Sequence, residues 1–135
     1  MTYYYYLASD IPLQKGYYYD EGLHLTFNNS ISLDKILTLE KSDEHIKGFD
    51  YPIQIEIFNG VEREEELQKL LYYIQEQTAS YKVCTVQIAN LINSNKLKFK
   101  VKEKSKMLLH EITNPKQLLL SEGHLITIKK VPTFF

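Results

Sequence analysis

Hydrophobic and polar positions alternate most plainly from Ile53 to Phe58, where Ile53, Ile55 and Ile57 share one parity and Gln54 and Glu56 the other. Successive side chains on a strand point to opposite faces, so this stretch predicts a strand with one buried and one wetter side. Asn59-Gly60 stops it, and the period then changes. Leu67, Leu70, Leu71, Ile74 and Thr78 fall within a helical stripe about 100° wide, with Glu65, Lys69 and Glu76 opposite. The spacing predicts a principal helix over about residues 61–79. Asn59 is the expected N-cap, with Glu62 three residues on as its capping-box partner. Glu62, Glu64, Glu65 and Glu66 crowd the first turns, where the helix dipole favours negative charge. That placement explains the carboxylates without metal or general-acid chemistry.

The same reading extends to the rest of the chain. Residues 3–8 predict a central strand, because Tyr3, Tyr5 and Leu7 lie on one side and Tyr4, Tyr6 and Ala8 on the other. Pro12, which cannot donate to a ladder, follows its end. Residues 17–19 and 23–27 predict a hairpin around Asp20-Glu21-Gly22. Ile31, Leu33, Ile36, Leu37 and Leu39 fit a short helix capped by Ser32 as well as a strand, and Lys41 to Phe49 reads as loop. Lys82 to Ile92 is two-sided and β-rich, so a buried strand is expected, with a helix begun at Thr85 still open. If it runs parallel to residues 53–58, the crossover is right-handed. Residues 96–102 alternate lysine with apolar side chains and predict a strand, and Met107 to Ile112 another. Asn114-Pro115-Lys116-Gln117 carries a cap, a first-position proline and a third-position glutamine, which start a short helix near 115–121. Gly123 ends it, and Leu125 to Lys130 is the last strand.

Together these elements predict a single α+β domain over residues 1–135, with a mixed or mainly antiparallel sheet and the principal helix on one face. Composition alters this little. The excess of Tyr (11), Lys, Ile and Asn, whose codons are AT-rich, points to a low-GC bacterial genome. Cys84 stands alone, so no internal disulfide is expected. No apolar run reaches membrane-spanning length, and the N-terminus lacks the pattern of a signal peptide. A cytoplasmic protein with no membrane partner is the expectation.

Charge does add something. Residues 1–66 hold 5 basic and 13 acidic side chains, and residues 67–135 hold 11 and 4. Such asymmetry marks a binding face, or halves that neutralise each other, or copies that pair head to tail. The sharpest basic feature is the ladder Lys96, Lys98, Lys100, Lys102, Lys104 and Lys106. A row like this neutralises phosphates through counterion release, and on an exposed strand it also blocks edge-to-edge aggregation. The tyrosine clusters at 3–6 and 17–19 could stack bases or sugars, although strand packing explains them more cheaply.

Chemistry is sparse. His24, His45, His110 and His124 have no metal-site spacing, and the five scattered glycines form neither a P-loop nor a dinucleotide fingerprint. No metal, cofactor or catalytic residue is therefore assigned. Ser9 beside Asp10, with His24 approaching, is the one enzyme arrangement kept open. The preferred expectation is a small non-catalytic interaction or regulatory protein that binds a protein partner or itself as a homodimer. A nucleic-acid binder using the lysines is the alternative, and a small enzyme near Ser9 and Asp10 is the third.

Overall fold

The computed structural model describes residues 2–20, 22–26, 30, 36–42, 48–57, 61–93 and 101–132. Among these residues are eight strands, β1 (Thr2–Ser9), β2 (Gly16–Tyr19), β3 (Gly22–His24), β4 (Leu37–Lys41), β5 (Ile53–Ile57), β6 (Cys84–Asn93), β7 (Glu103–Leu108) and β8 (His124–Lys130). They make one mixed sheet in the order β3-β2-β4-β5-β1-β6-β8-β7. Among the described residues only β7 and β8 pair in parallel. Helix α1 (Glu64–Thr78) packs on one face, so the predicted α+β architecture holds.

The tyrosine-rich first segment is central, as its two apolar faces require. β1 pairs antiparallel with β5 on one side and β6 on the other. Tyr5 and Leu7 join α1 in the larger core, while Tyr6 and Ala8 join a smaller core on the opposite face. Because β5 and β6 both oppose β1, they run in the same direction with β1 inserted between them. The unit β5-α1-β6 is therefore a split crossover, its two strands running in the same direction without pairing directly. Gln54 sits where the β1–β5 register slips between Leu7 and Ala8. Its amide turns to the next segment, donating to Ser9 O at 2.8 Å and Ile11 O at 3.0 Å and accepting from Leu13 N at 2.8 Å. A bulge of this kind re-aims side chains: it fastens the chain after β1 and turns Ile53 to the face opposite Ile55 and Ile57, so the three isoleucines do not share one side as their alternation predicts.

The helical stripe is buried as its period predicts: Leu67, Leu70, Leu71, Ile74 and Thr78 all lie in the interior. Tyr73, off that stripe, is buried as well, its ring edge-on to Tyr18 and its hydroxyl donating to Gln14 O. The start of the helix differs from expectation. Residues 58–60 lie outside the described residues, and the N-cap is Arg63. Glu66 Oε1 accepts from Arg63 N at 2.9 Å and Glu62 N at 3.2 Å. With four glutamates in the run, the carboxylate three residues past the actual cap closes the turn, and Glu62 stays exposed. At the other end Lys130 of β8 donates to Thr78 O at 2.7 Å, capping a helix whose last turn carries no basic residue.

Elsewhere the hairpin β2–β3 forms as expected, though β3 stops at His24. The ambiguous segment before Lys41 resolves into strand β4 at Leu37, and residues 31–35 fall outside the described residues. The short helix is a single 3-10 turn, Pro115–Leu118, with Asn114 Oδ1 accepting from Lys116 N at 2.9 Å and Gln117 Oε1 from Asn114 N at 2.9 Å. Two strand expectations need correction. Residues 101 and 102 are not strand, and β7 begins at Glu103, with 94–100 outside the described residues. The expected strand at 107–112 is instead the end of β7 followed by a 3-10 turn, Leu109–Glu111. Glu111 Oε1 accepts from Leu108 N at 2.8 Å, and this hydrogen bond turns the chain away from the ladder.

Candidate functional site

The sheet order separates strands from the two parts of the sequence, although β2 to β5 themselves carry only Glu40, Lys41 and Glu56 as charged residues. Strands from the acidic part of the sequence, β2 to β5, occupy one end, and β6, β8 and β7 occupy the other, with β1 between. The two parts also meet at the start of α1, where Val61 and Glu62 line a pocket with Asn90, Leu120 and Glu122. The ion pairs Arg63–Glu66 and Lys102–Glu122 are each local to one part of the chain.

β7 is the edge at the basic end. Its parallel register sets Lys104 beside Leu125, Ser105 beside Ile126, Lys106 beside Thr127 and Met107 beside Ile128. Ile126 and Ile128 belong to the helix-side core and Leu125 to the opposite one. Ser105 and Met107 therefore share the helix side, and Lys104 and Lys106 share the other. Both lysines are exposed. Lys102, just before the strand, is held by Glu122 Oε2 at 2.6 Å from its Nζ. Lys96, Lys98 and Lys100 lie outside the described residues.

The backbone decides what this edge can do. Glu103 N donates to Gly123 O at 3.2 Å, so the N–H groups of Glu103, Ser105 and Met107 point toward β8. Those of Lys104, Lys106 and Leu108 point away. Leu108 N is taken by Glu111, which leaves the outward N–H and C=O of Lys104 and Lys106 without a partner among the described residues. An edge in this state is a template for another strand.

Groups considered for nucleophilic chemistry are not assembled. Ser9 Oγ donates to Thr85 O at 2.7 Å and accepts from Ile11 N at 3.1 Å, while Asp10 Oδ1 accepts from Thr85 N at 2.9 Å. Both close the end of β1 onto β6. His24 stacks on Tyr19 with ring centroids 3.9 Å apart. Its strand β3 is four places from β1 in the sheet, or roughly 19 Å at the usual strand spacing. Cys84 is buried, and its thiol is pushed up first by burial and then by the charge of Asp10, with Lys130 opposing. A thiol so placed is a core residue and not a nucleophile.

One contact escapes sequence reasoning entirely. Ser105 Oγ lies 2.7 Å from His124 Nε2, a pairing created by the β7–β8 register and invisible at a sequence separation of 19. Among the described residues the other ring nitrogen of His124 has no protein partner.

Within the tyrosine clusters, Tyr5, Tyr6, Tyr18 and Tyr19 are buried. Tyr5 is buried, its hydroxyl donating to Leu118 O at 2.9 Å and accepting from Leu120 N at 2.8 Å. Burial pushes its pKa up to about 12, with the Leu120 N–H opposing and the charge of Glu62 adding. Tyr18 donates to Glu76 Oε1 at 3.1 Å and Tyr6 to Glu56 Oε1 at 3.3 Å. A groove of about 480 Å³ lies at the C-terminal end of α1, between Gln75, Ala79, Leu109, His110 and Val131. Among the described residues no group of three or more metal-ligating side chains occurs, and no helix is long and apolar enough to cross a membrane.

Comparison with known protein families, with curated proteins and with solved structures found no match to this chain.

Proposed function

We propose that this chain is a non-catalytic interaction protein whose basic end, β6-β8-β7, receives an acidic protein partner. The observation that carries the reading is the open edge at β7, which bears the exposed Lys104 and Lys106. Complementary fields of this sort speed encounter and select partners by sign. Ser9, Asp10 and Cys84 are each engaged in holding the fold together, which also favours a binding role over catalysis. A regulatory role in a bacterial cytoplasm fits the AT-rich composition and the lone buried cysteine.

The test is capture from the native host with protein and nucleic acid both identified. An acidic protein retained by the native chain, and lost when Lys104→Glu and Lys106→Glu are combined, supports the reading. Retained RNA or DNA contradicts it and favours a nucleic-acid binder, for which exposed lysines on a common strand face are the supporting observation. That alternative requires binding to weaken linearly in log–log with salt, and the slope to shrink when Lys98→Ala and Lys100→Ala are combined.

A further inference from the structure

We infer that β7 binds by strand addition, and that its occupant is an extended segment of another protein carrying Asp or Glu at two positions separated by one residue. This rests on the proposed binding role of the basic end and specifies its mode.

The backbone supplies the first part. The outward N–H and C=O groups of Lys104 and Lys106 accept one more strand without disturbing the pairing to β8. Glu111, bonded to Leu108 N, limits the usable edge to the residues around Ser105. A short strand fits, and a long one is stopped.

Side-chain register supplies the second part and excludes a second copy of the chain. Lys102, Lys104 and Lys106 occupy every second position. Two β7 strands meeting antiparallel about a two-fold axis perpendicular to the sheet must match like faces, so even positions meet even positions. Lysine then faces lysine in every register centred on residues 102 to 106, the part of the edge left usable by Glu111, and like charges directly opposite destabilise the pair. The other end of the sheet offers no substitute, because β3 reads Gly22-Leu23-His24, with no carboxylate. A foreign strand with carboxylates opposite Lys104 and Lys106 turns the same row into two cross-strand ion pairs. The residue between those carboxylates lies on the helix side opposite Ser105, next to half-buried Met107, and an apolar or β-branched side chain suits it. Main-chain bonds give affinity in such complexes, and alternate side chains give specificity.

The probe is a blocked peptide, Thr-Glu-Val-Glu-Thr, titrated into the full chain at low salt while amide exchange is followed residue by residue. Strand addition predicts new protection at Lys104 and Lys106, and loss of affinity by about tenfold or more when Lys104→Glu and Lys106→Glu are combined. Lys106→Pro removes one outward donor and spares the bonds to β8, so it must weaken binding more than Lys106→Ala does. Binding without protection of the two amides overturns strand addition and leaves the charge-based reading standing. If neither this peptide nor polyglutamate binds, both fail, and the lysines serve only to keep the edge unpaired. Displacement of the peptide by a single-stranded oligonucleotide of equal charge also overturns the assignment, in favour of phosphate recognition.

Discussion

The two faces of the sheet are built differently. On the helix side, α1 lays Leu67, Leu70, Leu71 and Ile74 over Tyr5, Leu7, Ile55, Ile57 and Ile88, and the few polar groups there are the hydroxyls of Tyr5, Tyr18, Tyr73 and Thr78, each hydrogen-bonded. The other side holds a smaller cluster of Tyr6, Ala8, Ile53, Ala89, Leu91 and Leu125, partly covered by Phe49, Tyr51 and Val101. Polar groups are buried among them. Gln87, 1% exposed, donates to Asp50 Oδ2 at 2.9 Å and Thr127 Oγ1 at 3.2 Å and accepts from Asp50 N at 2.8 Å. A loop pinned by an amide does here what a packed helix does opposite. Stability is concentrated on the first face, and Lys104 and Lys106 project on the second. Surface charge at the basic edge can therefore change with little cost to the fold.

The largest effect that could break this contrast is in the helix core. Leu71→Ala should cost about 2–5 kcal/mol by chemical denaturation, because the site is enclosed and cannot collapse fully. A change near zero would place the stabilising core elsewhere. Next comes the pH dependence of the same face. The folded pKa of Tyr5 lies near 12, above its ordinary value of 10.0, and that of Tyr73 is raised too. A raised folded value means stability is complete below about pH 10 and drains away as pH rises through about 12. For Tyr5 alone this amounts to about 3 kcal/mol. Phenolate absorbance should then show both groups neutral at pH 11 in the folded chain while exposed tyrosines titrate.

On the opposite face, Gln87→Ala should cost about 1–3 kcal/mol, chiefly by leaving Asp50 N and Thr127 unpaired. Faster amide exchange should appear at residues 48–51 and not in α1. The smallest effect on stability is expected at the edge, where Lys104→Glu with Lys106→Glu should stay within about 0.5 kcal/mol. A large loss there would show that these lysines hold the fold and are not free to bind.

The contrast also explains what the sequence revealed. The helix face was legible because its residues lie close along the chain with a 3.6 period, from Leu67 to Thr78, and because β1 advertises two apolar faces. Caps were legible where only one candidate existed, as at Asn114 and Gln117, and misplaced where four glutamates competed for one turn. The second face depends on partners far apart in sequence, such as Asp50 with Gln87, and no local pattern records them. The binding edge was half visible. Alternation showed which side the lysines share, but only the β7–β8 pairing shows whose backbone is left open.

Residue-resolved amide exchange on the free chain tests that last point most directly. An open edge predicts alternation along β7, with Lys104 and Lys106 exchanging fast and Ser105 and Met107 protected by β8. Uniform protection across residues 104–107 would mean the edge is already occupied, and the proposed mode of binding would have to be abandoned.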